Sequence, residues 1–198
     1  MLTSFARALA TLCALASFTL VHAAPQVELT TNGDFETGDE TGWQYLPSGN
    51  SAFNATSFQP NNGTWCGDLL NSLPNSLAGI QQANLGVGTV QPGDTIAISF
   101  SARIQGTDEQ GLAELLSETS GGAPSSVELL GGGPLPLSIT WQDFSFVTTA
   151  GPDVSGGISL RISADTGFDP NSFASLFVDD VSVKVLTGSV AGAPYCFG

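Results

Sequence analysis

Histidine is nearly missing from this chain: one stands at position 22 in 198 residues, and Lys and Arg number four against eighteen Asp and Glu. Past residue 22 there is no imidazole to serve as a base, so Ser-His-Asp and Cys-His arrangements are excluded and the Cys66 thiol has no proton acceptor. The formal net charge of −14 repels phosphate backbones and anionic lipid. Nucleic-acid, membrane-surface and polyanionic glycan partners are therefore disfavoured. Long apolar runs are lacking too. The one near the front, Ala8 to Val21, is too short to cross a bilayer and contains Thr11, Ser17 and Thr19.

With Arg7 before it and Val21-His22-Ala23 after it, that run reads as a secretory signal peptide over residues 1–23, cleaved after Ala23. The exported chain then holds 175 residues, enough for one domain with a sizeable core and little more. Its cations are Arg103, Arg161 and Lys184 against eighteen acids, a formal charge of −15. Its cysteines are Cys66 and Cys196; export permits a bridge between them, although two cysteines are weak evidence for a designed one. A hydrophobic share of 41% with 11% charged residues argues for a folded core.

What is abundant is Gly, Ser, Thr and Asn between short alternating segments. In Thr95 to Ile104, Ile96, Ile98, Phe100 and Ile104 share one face, with Thr95, Ser99, Ser101 and Arg103 on the other. Gly157 to Ala164 repeats this, with Ile158, Leu160 and Ile162 inward and Ser159, Arg161 and Ser163 outward. Phe144 and Phe146 give the inward set of a strand around Trp141 to Thr148. Further strands are expected at Val27–Thr30, Trp43–Leu46, Ala52–Phe58, Thr64–Leu70, Gly79–Leu85, Ala113–Glu118, Ser126–Leu130 and Phe177–Val185, separated by turn clusters such as Pro60-Asn61-Asn62-Gly63 and Pro92-Gly93-Asp94. Only Glu109 to Glu118 has helix-like content, in a short, Gly-flanked stretch. Many short strands at this spacing predict an all-β sandwich.

Asn32-Gly33-Asp34-Phe35-Glu36-Thr37-Gly38 running to Gly42-Trp43, and Phe177-Val178-Asp179-Asp180-Val181-Ser182-Val183, stand at the two ends of this pattern. Between them, in order, come Gly79-Ile80-Gln81-Gln82, Pro92-Gly93-Asp94-Thr95 before Ile98-Ser99-Phe100, and Trp141 to Phe146. Together they resemble the CenC type of carbohydrate-binding module, over about Val27 to Val185. The resemblance implies a galactose-binding-like β-jelly roll of two antiparallel sheets, here residues 24–187. After it come residues 188–198, a flexible tail or, since Tyr195-Cys196-Phe197-Gly198 resembles the opening of a Cys-rich segment, the start of further domains in a longer secreted protein.

Strict alternation puts Phe177, Asp179, Val181 and Val183 on one inward face of the last strand, where a bare carboxylate costs several kcal/mol. The resemblance implies a structural calcium held by Glu36 and Asp179, with carbonyls from the Asn62 to Trp65 turn; hard oxygen donors without histidine suit that ion. Asp179 capping a turn beside a solvated Glu36 is the alternative, and Asp34 and Asp180 are weaker candidates.

Sugar recognition needs flat apolar rings and short polar groups. Trp65, Trp141 and Tyr45 are the ring candidates, with Trp43 read as structural. Arg103 and Arg161, among the serines of their strands, suggest a concave polar floor, the alternative being an ordinary solvent face. Phe168 and Phe173 lie in an edge loop, where a phenylalanine more often plugs the core. No pair of acids is singled out for glycoside hydrolysis, and Lys184 is a poor base for a lyase. Asn54-Ala55-Thr56 and Asn62-Gly63-Thr64 match the N-glycosylation pattern, which matters only in a eukaryotic secretory route. The expectation is a secreted, non-catalytic module that binds a neutral polysaccharide or glycoconjugate, or else a structural or adhesive module without a sugar site.

Overall fold

Alternating segments with one apolar face can only bury it against another sheet, and a six-stranded and a five-stranded sheet do so here. The computed structural model describes residues 26–186; the signal segment, the tail and Cys196, hence any Cys66–Cys196 bridge, lie outside the described residues. The strands are β1 (Gln26–Glu28), β2 (Gln44–Leu46), β3 (Ser51–Thr56), β4 (Cys66–Asn71), β5 (Ser76–Leu85), β6 (Thr95–Thr107), β7 (Glu109–Glu118), β8 (Pro124–Leu129), β9 (Gln142–Thr149), β10 (Gly157–Thr166) and β11 (Phe173–Leu186). Among the described residues one 3-10 turn, Leu130–Gly132, accompanies them. The first sheet runs β3-β4-β11-β6-β9 with β1 paired to β11, and the second runs β2-β5-β10-β7-β8. Every pairing is antiparallel. This is an all-β sandwich jelly roll.

The core follows the period-two pattern. Ile96, Ile98 and Phe100 of β6 are buried in one cluster with Ile158, Leu160 and Ile162 of β10. Glu109–Glu118 is strand throughout: Ala113 and Leu115 turn inward, and β10 and β8 use both of its edges. Tertiary pairing overrides the helix preference of its Leu, Ala and Glu residues.

One irregularity decides where the polar groups go. Asp179 pairs with Ser101, yet Ser182 pairs with Ser99, so β11 carries one extra residue against β6. The bulge sits at Asp180, whose φ is +52°. Ahead of it Ala174, Leu176 and Val178 face the core, and beyond it Val181, Val183 and Val185 do. Strict alternation through β11 is therefore wrong: Phe177 and Asp179 point to the outer face, beside Arg103 and Ser101.

The front motif packs on this bulge. Val181 N donates to the Gly33 carbonyl at 2.9 Å, and a Cβ at Gly33 would lie 1.9 Å from the Val181 oxygen, so no other residue fits. Phe35, fully buried, stacks on Trp43 at 5.2 Å and covers Gly67, while Trp43 Nε1 donates to the Asn32 carbonyl at 3.0 Å. Trp43 is structural, as its place in the front motif implied.

A β-branched side chain at the bulge must pay the left-handed backbone cost. Asp180→Val is expected to lower unfolding free energy by about 1–2 kcal/mol, while Asp180→Gly loses less. Gly33→Ala, which forces backbone apart, should fall at the upper end of the roughly 1–3 kcal/mol of overpacked sites. Urea denaturation of the three variants checks the ranking, and equal midpoints for Gly33→Ala and the parent would contradict it.

Candidate functional site

The Pro60-Asn61-Asn62-Gly63 turn, expected to join two strands and to offer carbonyls from Asn62 to Trp65 to a calcium, lies across the outer face of the first sheet and is held there by carboxylates that accept from its N–H groups. Asp179 Oδ2 accepts from Asn61 N at 2.9 Å and Asn62 N at 3.1 Å, and Oδ1 accepts from Asp180 N at 2.8 Å. Glu36 Oε1 accepts from Thr64 N at 2.7 Å and Trp65 N at 2.8 Å. Glu36 and Asp179 thus do meet at this turn, but they take its N–H groups. The two backbone bonds hold the exposed Glu36 carboxyl below its ordinary pKa. Burial pushes Asp179 up to about 6, against the lowering effect of its N–H donors. Asp34, Glu36, Asn62, Gly63 and Asp180 line a small cleft of about 170 Å³ beside them. Among the described residues no three His, Cys, Asp or Glu side chains are grouped as a metal site needs.

Arg103 lies under the same turn. It is 3% exposed, with Cζ 3.8 Å from the Phe177 ring centroid, 5.4 Å from that of Trp141 and 5.8 Å from that of Phe58. Its Nη2 is buried without a hydrogen-bond partner. Trp141 itself is half-buried and donates Nε1 to the Gln59 carbonyl at 3.1 Å. Arg103 is accordingly a buried pin beneath aromatic rings, not part of a solvent floor; desolvation lowers its pKa. Cys66, fully buried on this side, has its thiol raised to about 12 by burial and then by Asp179, which makes it inert.

Arg161 stands on the opposite side of the molecule, because β6 and β10 belong to different sheets. The single floor expected from the two arginines does not exist. On the second sheet's outer face, Gln44, Gln81, Arg161 and Glu114 are cross-strand partners in one row over β2, β5, β10 and β7. Gln81 Nε2 donates to Gln44 Oε1 at 2.9 Å, Arg161 Nε and Nη2 reach Gln81 Oε1 at 3.4 Å each, and Arg161 Nη1 lies 3.5 Å from Glu114 Oε2. Ser159 and Ser163, on the same side, are 0% and 2% exposed because taller neighbours close over them. Around the row the register places Leu46, Leu77, Leu112, Leu116, Val127 and Leu129 on that side too. The result is a furrow with a polar rung and aliphatic walls. Gln44, Gln81 and Glu114 escape sequence reading because only strand pairing aligns them.

The remaining ring candidates divide. Trp65 is half-buried against the core edge and Gly38. Tyr45 faces inward onto Phe53 at 6.3 Å and shares a 2.6 Å hydrogen bond with Ser51 Oγ. Only Trp141 of the three lies beside an arginine. Phe168 is 84% exposed and plugs nothing, and Phe173 is 39% exposed.

No family profile matches the chain, and no curated protein matches it in sequence. Solved structures do share its fold. The CBM22-1 xylan-binding domain of Paenibacillus barcinonensis Xyn10C superposes with a TM-score of 0.59 at 13% identity, over 86% of this chain and all of that one. Its CBM22-2 neighbour gives 0.54 at 20% identity, over 77% and 97%. The enzymatically active domain of bacteriophage CBA120 tailspike protein 4 gives 0.62 at 14% identity, with 79% of this chain covering 21% of that chain. The chain thus has the β-jelly-roll fold of carbohydrate-binding modules and spans about a fifth of the tailspike chain.

Asp179 generates a pH dependence with a defined sign. Its native pKa of about 6 exceeds the ordinary aspartate value, so the folded state binds the proton more tightly. Stability is greatest below about pH 4 as far as this group is concerned and falls as pH rises towards 6, by on the order of 1 kcal/mol per pH unit at most. Asp179→Asn should flatten that slope while lowering stability, since one acceptor oxygen is lost to two N–H groups. Denaturation midpoints between pH 4 and 7 test both, and an unchanged slope would refute the assignment.

Proposed function

We propose that this chain is an exported, non-catalytic carbohydrate-binding module that lays a neutral polysaccharide along the second sheet's outer face. The observation that carries this reading is the Gln44–Gln81–Arg161–Glu114 row within its aliphatic furrow. At about 4.8 Å per strand the row extends roughly 14 Å, and amide, guanidinium and carboxylate edges both donate to and accept from sugar hydroxyls. The CBM22 domains with this fold are xylan-binding, which supports a β-linked polysaccharide as ligand. A CenC-type assignment rests on the end motifs and the ordered motifs between them. The signal-like segment at 1–23 supports export, and the lack of any histidine among residues 26–186 supports a non-catalytic role.

We further propose the structural calcium at the joint of the first and last motifs, with Glu36 and Asp179 as its carboxylates. The donor atoms fit in kind though not as a preassembled group: Glu36 shares a cleft with Asp34, Asn62 and Asp180, all hard oxygen donors, while Asp179 stands outside the lining of that cleft. Since N–H groups already meet both carboxylates, the ion would neutralise the acidic joint and not act as its sole fastening. When bound it supplies charge compensation and no chemistry.

The structural or adhesive reading also has an observation in its favour. Tyr45 is the only aromatic residue in the five strands of the second sheet, and it faces inward, so the furrow offers no stacking platform. Affinity electrophoresis through xylan, glucan, mannan and galactan decides between the two. Retardation by one polymer, insensitive to moderate salt and weakened about five- to tenfold by Arg161→Ala or Gln81→Ala at unchanged melting temperature, is expected. Absence of retardation throughout the panel would establish the structural reading. For calcium, a chelator should lower the melting temperature of the parent but not of Glu36→Gln, and identical parent melts with and without chelator would exclude it.

A further inference from the structure

The first sheet's outer face holds a second concavity, independent of the furrow. Asn61, Ser99, Phe100, Ser101, Asp143, Phe144 and Asp180 line about 350 Å³ of open space there. Beside it Trp141 is fixed from beneath by the buried Arg103 and at its edge by the Gln59 carbonyl, and Phe58, 54% exposed, lies over the same arginine. Trp141 stands two residues before Asp143 on this face, and a pinned aromatic ring bordering a polar cavity is a recognition surface for a sugar-sized ligand.

The hydrogen-bond inventory narrows its chemistry. Asn61 Nδ2 donates to Ser101 Oγ at 3.1 Å and to Asp180 Oδ2 at 2.9 Å, which uses both of its hydrogens. Ser101 Oγ donates in turn to Asp143 Oδ1 at 2.7 Å. What remains for a ligand is the Asn61 carbonyl oxygen and the second oxygens of Asp143 and Asp180, with the Ser99 hydroxyl as the one donor. A ligand must therefore bring donors and, against two carboxylates on a chain of net charge −14, is favoured by positive charge. Aromatic faces attract the same kind of group.

We propose that this cavity binds an ammonium-bearing sugar, that is, a glucosamine-type residue with a free amine. The amine donates to Asp143 and Asp180 while the pyranose CH face lies on Trp141. The site is distinct from the Arg161 furrow and does not require that a neutral polysaccharide bind there.

Titration calorimetry of the full exported chain with a glucosamine hexamer, its N-acetylated counterpart and a xylohexaose tests this. Expected are binding of the free-amine oligomer at mildly acidic pH, weakening with salt, and a loss of about tenfold or more in Asp143→Asn/Asp180→Asn. Asparagine tolerates the positive φ at 180, so this variant keeps the bulge, which an unchanged melting temperature verifies. Trp141→Phe should bind more weakly and Arg161→Ala as the parent does. Equal affinity for free-amine and N-acetylated oligomers, or unaltered binding by the double variant, would overturn the proposal. Loss of xylohexaose binding in Arg161→Ala with glucosamine binding intact separates the fate of this site from that of the furrow.

Discussion

The buried carboxylate of Asp179 is the constraint from which the rest of this architecture follows. At 1% exposure an unmet carboxylate costs several kcal/mol, and three backbone N–H groups, one from its own bulge and two from the turn, offset that cost. The arrangement is possible only because the bulge at Asp180 turns Asp179 out of the hydrocarbon core to a face where a turn can reach it. Once the turn is fastened, Phe58 and Asn61 are placed over the sheet, Trp141 gains the Gln59 carbonyl, and Cys66 and Arg103 are sealed beneath. Glu36 fastens the other end of the same turn and so ties it to the front motif.

Two arginines in similar strand settings thereby acquire opposite properties. Arg103 is roofed by rings and has lost solvent; its role is packing, and truncating it would remove the support under Trp141. Arg161 keeps partial exposure and lies between Gln81 and Glu114, so its guanidinium is oriented yet reachable. What distinguishes them is the turn that covers one sheet, while among the described residues no strand packs over the other.

Much of this was legible from residues alone. Period-two alternation identifies β6, β9 and β10 and their inward sets, and the paired end motifs indicate the jelly roll, because Gly33 and Val181 do touch. The failures have a common physical origin. Alternation predicts facing only while the register is regular, and a one-residue bulge reverses every assignment ahead of it, as it does for Phe177 and Asp179. Nor does parity say which sheet a strand joins, so Arg103 and Arg161 looked like neighbours when they stand back to back. The Gln44–Gln81–Arg161–Glu114 row depends on pairings between residues up to 80 positions apart, for which no local signal exists.

The scarcity of positive charge takes on a sharper meaning in the folded molecule. Beyond the signal-like segment the chain has three cations, and each is committed. Arg103 is buried among rings, Arg161 faces Glu114, and Lys184 lies 3.9 Å from Glu28 where β1 meets β11. None stands on either candidate face without a neighbouring partner, while carboxylates lie at the furrow, at the turn and at the cavity beside Trp141. Anionic ligands are therefore rejected at each concave surface locally, and not only by the distant field of the net charge, which salt would screen. On the proposed binding role, specificity is built first on exclusion of anions and only then on the hydrogen-bond groups each face presents.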